Sequence, residues 1–227
     1  MKQNRLIRYT IWGILIICPW ILTSCDMFHE DLPECRLFVK FKYDYNMLFT
    51  DAFHTQVDKV ELYVFDKDGK FLFSQVEEGE ALATGNYQME VKLPIGEYQF
   101  LAWAGARDSY DIYTPRGENT ITDMRLRLKR EESLIISKEL EPLWYGYISD
   151  VDFTGTSHQT ETIDLIKDTN KIRFVFQGYS DSYIRATSGD NWNVNMNDYE
   201  YEIIESNGHL AYDNSLLAVS YTHLRAH

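Results

Sequence analysis

From Leu37 onward the chain places apolar residues at every second position, and this period of two limits its fold more than any other feature. Leu37, Val39, Phe41 and Tyr43 alternate with Phe38, Lys40 and Lys42, as in a strand with one face in a core. Val60, Leu62 and Val64 alternate with Lys59, Glu61, Tyr63 and Phe65. Asp66-Lys67-Asp68-Gly69 then supplies a turn, and Phe71-Leu72-Phe73 returns as the hairpin partner. Tyr87, Met89, Val91 and Leu93 form the next set. Leu93-Pro94-Ile95-Gly96 turns the chain into a strand carrying Tyr98, Phe100 and Ala102 and ending at Trp103. Ser133 to Ile136 and Thr162 to Leu165 are shorter strand candidates. Met47 to Phe53 and the charged run Asp123 to Glu132 are expected to be loop or brief helix.

Short strands joined by turn residues predict an all-β chain built from β-sandwiches rather than an α/β fold. Lys167-Asp168-Thr169-Asn170 is a polar break, after which Ile172, Phe174 and Phe176 resume the alternation. The expected division is a first sandwich over 36–168 and the start of a second over 171–217. The second stretch is too short for a whole sandwich, because domains near 100 residues are typical. The second domain is therefore expected to be truncated.

The N-terminus reads as a signal for export. Lys2, Arg5 and Arg8 precede an apolar stretch from Tyr9 to Ile21, interrupted by Gly13 and Pro19. That stretch is short of the roughly 20 apolar residues a membrane-spanning helix needs. Leu22-Thr23-Ser24-Cys25 closes it in the manner of a bacterial lipobox. Residues 1–24 are then a signal peptide cut between Ser24 and Cys25, with Cys25 lipidated and 25–35 forming a tether. Asp26, Glu30, Asp31 and Glu34 within that tether are either a solvated spacer or a sorting signal for surface export.

The other terminus reads differently. Val219-Ser220-Tyr221-Thr222-His223-Leu224-Arg225-Ala226-His227 looks like a translated sequencing adapter. Residues 218–227 are therefore expected to be a non-native tail, with a native C-terminal part missing beyond it. His223 and His227 receive no functional role.

The formal charge is −13, with 35 acidic against 22 basic residues, and removing the basic signal peptide makes the mature part more acidic. Such a chain is a poor partner for nucleic acid or anionic lipid headgroups. Of the three cysteines, Cys18 falls in the signal and Cys25 carries the lipid. Cys35 is left without a disulfide partner in the fragment; it either pairs with the missing part or, as expected, is a small buried residue.

No catalytic constellation emerges, and no cofactor or metal is expected. His29, His54, His158 and His209 lack ligand spacing. There is no phosphate-binding glycine loop and no serine elbow. Asp66-Lys67-Asp68-Gly69 lacks the downstream glutamate of a calcium loop, so a hairpin turn is its expected role. Trp103, Trp144, Tyr145 and Trp192 admit two readings, core filling or a platform for stacking sugars. Trp192, within Asp190 to Asn195, is the candidate contact point of the second domain.

Several ordered motifs resemble those of FimB/Mfa-type fimbrial anchor lipoproteins of Bacteroides-like bacteria. They are Tyr43-Asp44-Tyr45-Asn46-Met47, the hairpin Leu62 to Gly69, the run Leu93 to Gly105, Leu143-Trp144-Tyr145-Gly146 and Lys167 to Ile172. The resemblance implies tandem transthyretin-like sandwiches behind a lipidated cysteine. It also implies a minor subunit that attaches a fimbrium to the outer membrane, limits its length, and docks fimbrial stalk subunits by β-strand complementation. The alternative is a surface glycan-binding lipoprotein of a nutrient-uptake complex, which exposed, coplanar tryptophans would favour.

Overall fold

The computed structural model describes residues 34–130, 135–136, 138–173, 201–205, 208–217 and 222–226. Residues Cys35–His227 form one compact unit, and its described part is almost entirely β. Its centre is a five-stranded sheet containing β2 (Lys59–Asp66), β3 (Phe71–Glu78), β5 (Gly96–Ala104), β9 (Trp144–Phe153) and β11 (Ile166–Lys167), in the order β11-β9-β5-β2-β3. All its neighbouring strands are antiparallel.

Both faces of this sheet are covered. On one side lies a sheet of β1 (Leu37–Lys42), β4 (Met89–Val91) and β10 (Gln159–Asp164), in the order β10-β1-β4, with β1 and β10 parallel. The other side is covered by β6 (Tyr110–Tyr113), β7 (Arg125–Leu128) and β13 (His209–Ala211), in the order β13-β7-β6. A further sheet sets β14 (Thr222–Ala226) between β12 (Tyr201–Glu205) and β8 (Ile135–Ile136).

Two apolar cores follow from this layering. Val60, Leu62, Val64, Phe100 and Ala102 pack against Leu37, Val39, Phe41, Met89 and Ile163. Tyr63, Phe65, Leu101 and Trp103 pack against Met124, Leu126, Leu128 and Ile136. The Tyr63/Phe65 face of β2 is thus buried as deeply as the Val60/Leu62/Val64 face. A strand covered on both sides gains burial from each face, so its polar positions shrink to its ends.

The turn at Asp66–Gly69 forms as the sequence predicts. The Asp66 carboxylate oxygen Oδ1 accepts the N–H groups of Asp68 and Lys70 at 3.0 and 2.8 Å, and Gly69 takes φ +78°. Met47 to Phe53 is a loop leading into a single helical turn, α1 (Phe53–Gln56). The charged run from Asp123 is a correction. Its centre, Arg125-Leu126-Arg127-Leu128, is strand β7, because Leu126 and Leu128 enter the second core while the arginines face outward. Helix-forming composition yields there to a period of two that has apolar neighbours to bury against. Just before it, Ile121–Asp123 forms a short 3-10 turn capped reciprocally by Thr120 and Asp123.

Residues 208–217 lie on the layer formed by β6 and β7. Leu210 pairs with Leu126, Leu210 and Tyr212 pack on the second core, and the Tyr145 hydroxyl donates to the Tyr212 carbonyl at 2.8 Å. Among the described residues no helix is long and apolar enough to cross a membrane.

Candidate functional surfaces

The strand registers give the unit two distinct ends. At one, Cys35 and Arg36 enter β1, the Arg36 carbonyl accepts the N–H of Gln159 at 2.9 Å, and Gly96 pairs with Phe153. At the other end β1 finishes beside β10, with the Leu165 N–H donating to the Lys42 carbonyl at 2.7 Å. Ala104 pairs with Trp144 there, and Lys167 lies across from Trp144. The chain enters at the first end and leaves its first sandwich at the second.

Cys25 and Ser24, the expected lipidation and cleavage residues, lie outside the described residues, as do His29 and Trp192. Cys35 corrects the expectation of a buried residue. It is exposed, and its thiol donates to the Gly155 carbonyl at 2.7 Å.

The aromatic candidates separate cleanly. Trp103 is fully buried, edge-on to Tyr63 with ring centres 5.9 Å apart. Trp144 is also buried, edge-on to Tyr43, with the Lys167 ammonium 5.0 Å from its ring centre. Tyr145 is buried, and desolvation pushes its hydroxyl pKa well above the usual tyrosine range. These rings fill cores, where large aromatic surfaces contribute most, and offer no open face for a sugar to stack on.

A shallow depression of about 320 Å³ is lined by Lys59, Glu61, Ala106, Arg107, Asp108, Tyr110 and Ile112. Its cations are already engaged. The Lys59 ammonium donates to the Ala106 carbonyl at 2.8 Å. Arg107 donates to Glu78 at 2.6 Å and pairs with Asp58 at 3.2 Å, which holds the Glu78 carboxyl below its ordinary range. Among the described residues no three His, Cys, Asp or Glu side chains gather as metal ligands. His209, which lacks ligand spacing in the sequence, sits with Nε2 buried; burial and then Arg130, Arg127 and Arg125 lower its pKa.

What the surface does offer is backbone. β3 is eight residues long and ends the central sheet, with β2 on one side and no described strand on the other. Its outward side chains include the exposed Leu72 and Val76. An edge of this kind presents a row of unpaired N–H and C=O groups to any extended segment. Sequence reasoning found the β3 hairpin and missed that it forms the edge, because strand order is set by contacts distant in sequence.

The described part is thus an all-β unit covered on both faces of its central sheet, with Trp103, Trp144 and Tyr145 committed to packing and a strand edge at its surface. The chain belongs to the family of fimbrillin-A associated anchor proteins Mfa1 and Mfa2, whose pattern matches residues 32–224. The minor fimbrium anchoring subunit Mfa2 of Porphyromonas gingivalis is 26% identical over 129 residues, covering 55% of this chain and 40% of that protein. A solved candidate polysaccharide-binding protein of Bacteroides thetaiotaomicron is 64% identical. Its TM-score is 0.76, over 84% of this chain and 64% of that one. The solved fimbrial anchor protein Mfa2 of P. gingivalis shares the fold at 17% identity, with TM-score 0.61 over 83% and 65% of the two chains. The chain thus spans under two thirds of the length of each of these relatives.

Proposed function

We propose that this protein is a lipid-anchored minor fimbrial subunit that holds a fimbrium to the outer membrane and limits its length. The observation that carries the reading is membership of the anchor-protein family over residues 32–224. Cys25 carries the lipid, and two or more acyl chains make attachment lasting where one alone would be reversible. The chain enters the first sandwich through Cys35 and Arg36 at the end opposite its exit, and a second sandwich begins within 171–217, of which 208–217 packs back on the layer formed by β6 and β7. The stalk docks by strand addition, in which backbone bonds supply affinity and alternate side chains supply specificity.

Two edges support strand addition. The first is the free side of β3. The second is the gap between β12 and β8, which β14 fills by pairing antiparallel with one and parallel with the other. β14 falls in the adapter-like stretch 218–227, and the place it fills is one that an incoming strand of a fimbrial subunit can take. The buried Trp103 and Trp144 weigh against the glycan-binding alternative.

The test is deletion of the gene, followed by measurement of fimbrial subunits in cells and culture medium. Filaments shed into the medium or grown abnormally long support the anchor. Unchanged, cell-bound filaments of normal length overturn it.

A further inference from the structure

The loop between β1 and α1 carries four large apolar side chains in water. Tyr45 is 80% exposed, Met47 92%, Leu48 65% and Phe49 94%. Single exposed apolar residues are ordinary, whereas a contiguous group at one tip marks a contact surface.

This tip is held in shape. The Asn46 side chain donates to the Tyr43 and Thr50 carbonyls, both at 2.8 Å, and its Oδ1 accepts the Leu48 N–H at 2.8 Å. Asp51 Oδ1 accepts the N–H groups of Tyr43 and Phe53, both at 3.0 Å, and the Ala52 N–H donates to the Tyr43 carbonyl at 2.8 Å. Within that frame Phe49 takes φ +54°, a left-handed conformation that a bulky side chain adopts only under constraint. The loop therefore combines backbone strain at Phe49, held by this hydrogen-bonded frame, with apolar exposure at its tip.

The position of the loop narrows what covers it. Tyr43 packs on Trp144, and the Lys42 carbonyl is bonded to Leu165. The tip therefore stands at the end where the chain leaves the first sandwich through Leu165–Asp168. The open end of the hairpin 208–217 lies toward that end too: the Leu217 N–H donates to the His209 carbonyl at 3.1 Å, and the Gly208 carbonyl accepts from Leu128, the partner of Tyr110. The solved relative that is 64% identical is matched over only 64% of its length, which leaves about a third of it unmatched. Cys35 and Arg36 lie at the opposite end. Asp44, Asp51 and Asp164 near the foot of the loop, with Lys42 paired to Asp44, disfavour an anionic membrane surface.

We infer that Tyr45, Met47, Leu48 and Phe49 form a preorganised plug that seats in an apolar recess of the second sandwich of the complete protein and fixes the angle between the two domains. This rests on the two-sandwich reading above. Order in the free loop lowers the entropy lost on docking, which is the use of holding Phe49 in a strained conformation in advance.

The test compares two forms that both start at Asp26 and carry Cys35→Ser: one ending at Leu217, the other encoded by the complete gene. Met47→Cys in each is labelled with a maleimide. The thiol of the complete protein is expected to react at least about tenfold more slowly than that of the short form, since docking must open before labelling. Phe49→Asn, which suits a left-handed site without the apolar ring, is expected to restore fast labelling in the complete protein while leaving the short form folded. Equal rates in a complete protein whose second domain survives limited proteolysis overturn the plug and leave the two-sandwich reading intact. A complete gene that encodes no second domain overturns both. Slow labelling that appears only on adding purified stalk subunit, or only with zwitterionic vesicles, assigns the tip to that partner and overturns the intrachain seat.

Discussion

Asn214 donates its side-chain N–H to Oδ1 of Asp168 at 2.7 Å across 46 residues of sequence. The bond ties the turn after β13 to the point where the chain leaves its first sandwich. Asn214 stands at φ +63°, a conformation asparagine tolerates better than most residues. Asp168 Oδ2 is buried without a partner, so the carboxylate is only half satisfied.

Burial raises the Asp168 pKa to about 6, against the opposing pull of the Asn214 bond, from an ordinary 3.8. The folded chain therefore holds an extra proton between those values, and this group's contribution to stability is lost as pH rises from about 4 through about 6. His209, whose lowered pKa disfavours its charged form in the folded chain, contributes in the opposite sense as pH falls below 6.5. Comparison with Asp168→Asn isolates the carboxyl. That variant is expected to melt a few degrees above the parent at pH 7, with the gap reduced by more than half at pH 4.5. Parallel melting profiles of parent and variant across this range would show that Asp168 carries no such linkage.

Gly105 takes φ +74°, and a β-carbon there would fall on the Pro142 carbonyl oxygen and press on the Trp144 ring. Gly105→Ala combines left-handed strain with overpacking against backbone, at a cost of about 3 kcal/mol or more. Urea unfolding should show the loss as a lower midpoint at unchanged slope; a midpoint equal to the parent's would contradict the packing described.

Trp103→Ala removes a ring buried between β2, β5 and the second core. The expected destabilisation is about 3–5 kcal/mol, measured by denaturant unfolding. Retention of parental stability together with loss of polysaccharide binding would instead return the ring to a sugar-stacking role.

Adjacent residues of an edge strand direct their N–H groups to opposite sides. Of Ser74→Pro and Gln75→Pro in β3, one therefore breaks a bond to β2 and lowers stability, while the other removes only an outward donor. The stable variant of the pair is expected to lose binding of purified stalk subunit by about tenfold or more, if the free edge accepts a strand. Full binding by that variant would exclude β3 and leave the gap between β8 and β12.

Cys25→Ala is expected to shift the protein from the membrane fraction to a soluble one, read by fractionation and immunoblotting. Membrane retention of the variant would overturn lipid anchoring through Cys25.

The alternation from Leu37 to Trp103 made the all-β class legible, because a residue's side of a strand follows from its position alone. Turn chemistry was equally local: Asp66 bonds the backbone two and four residues on. What sequence order could not convey was which strands meet. Two sheets, not one, cover β2 and β5, so Tyr63, Phe65 and Trp103 are core rather than surface. Arg125 to Leu128 became a strand only because a second core awaited Leu126 and Leu128. The exposure of Tyr45 to Phe49, the Asp168–Asn214 bond and the free edge of β3 all depend on pairings between distant segments. Periodicity reports the environment that each residue requires, and tertiary packing determines which partner supplies it.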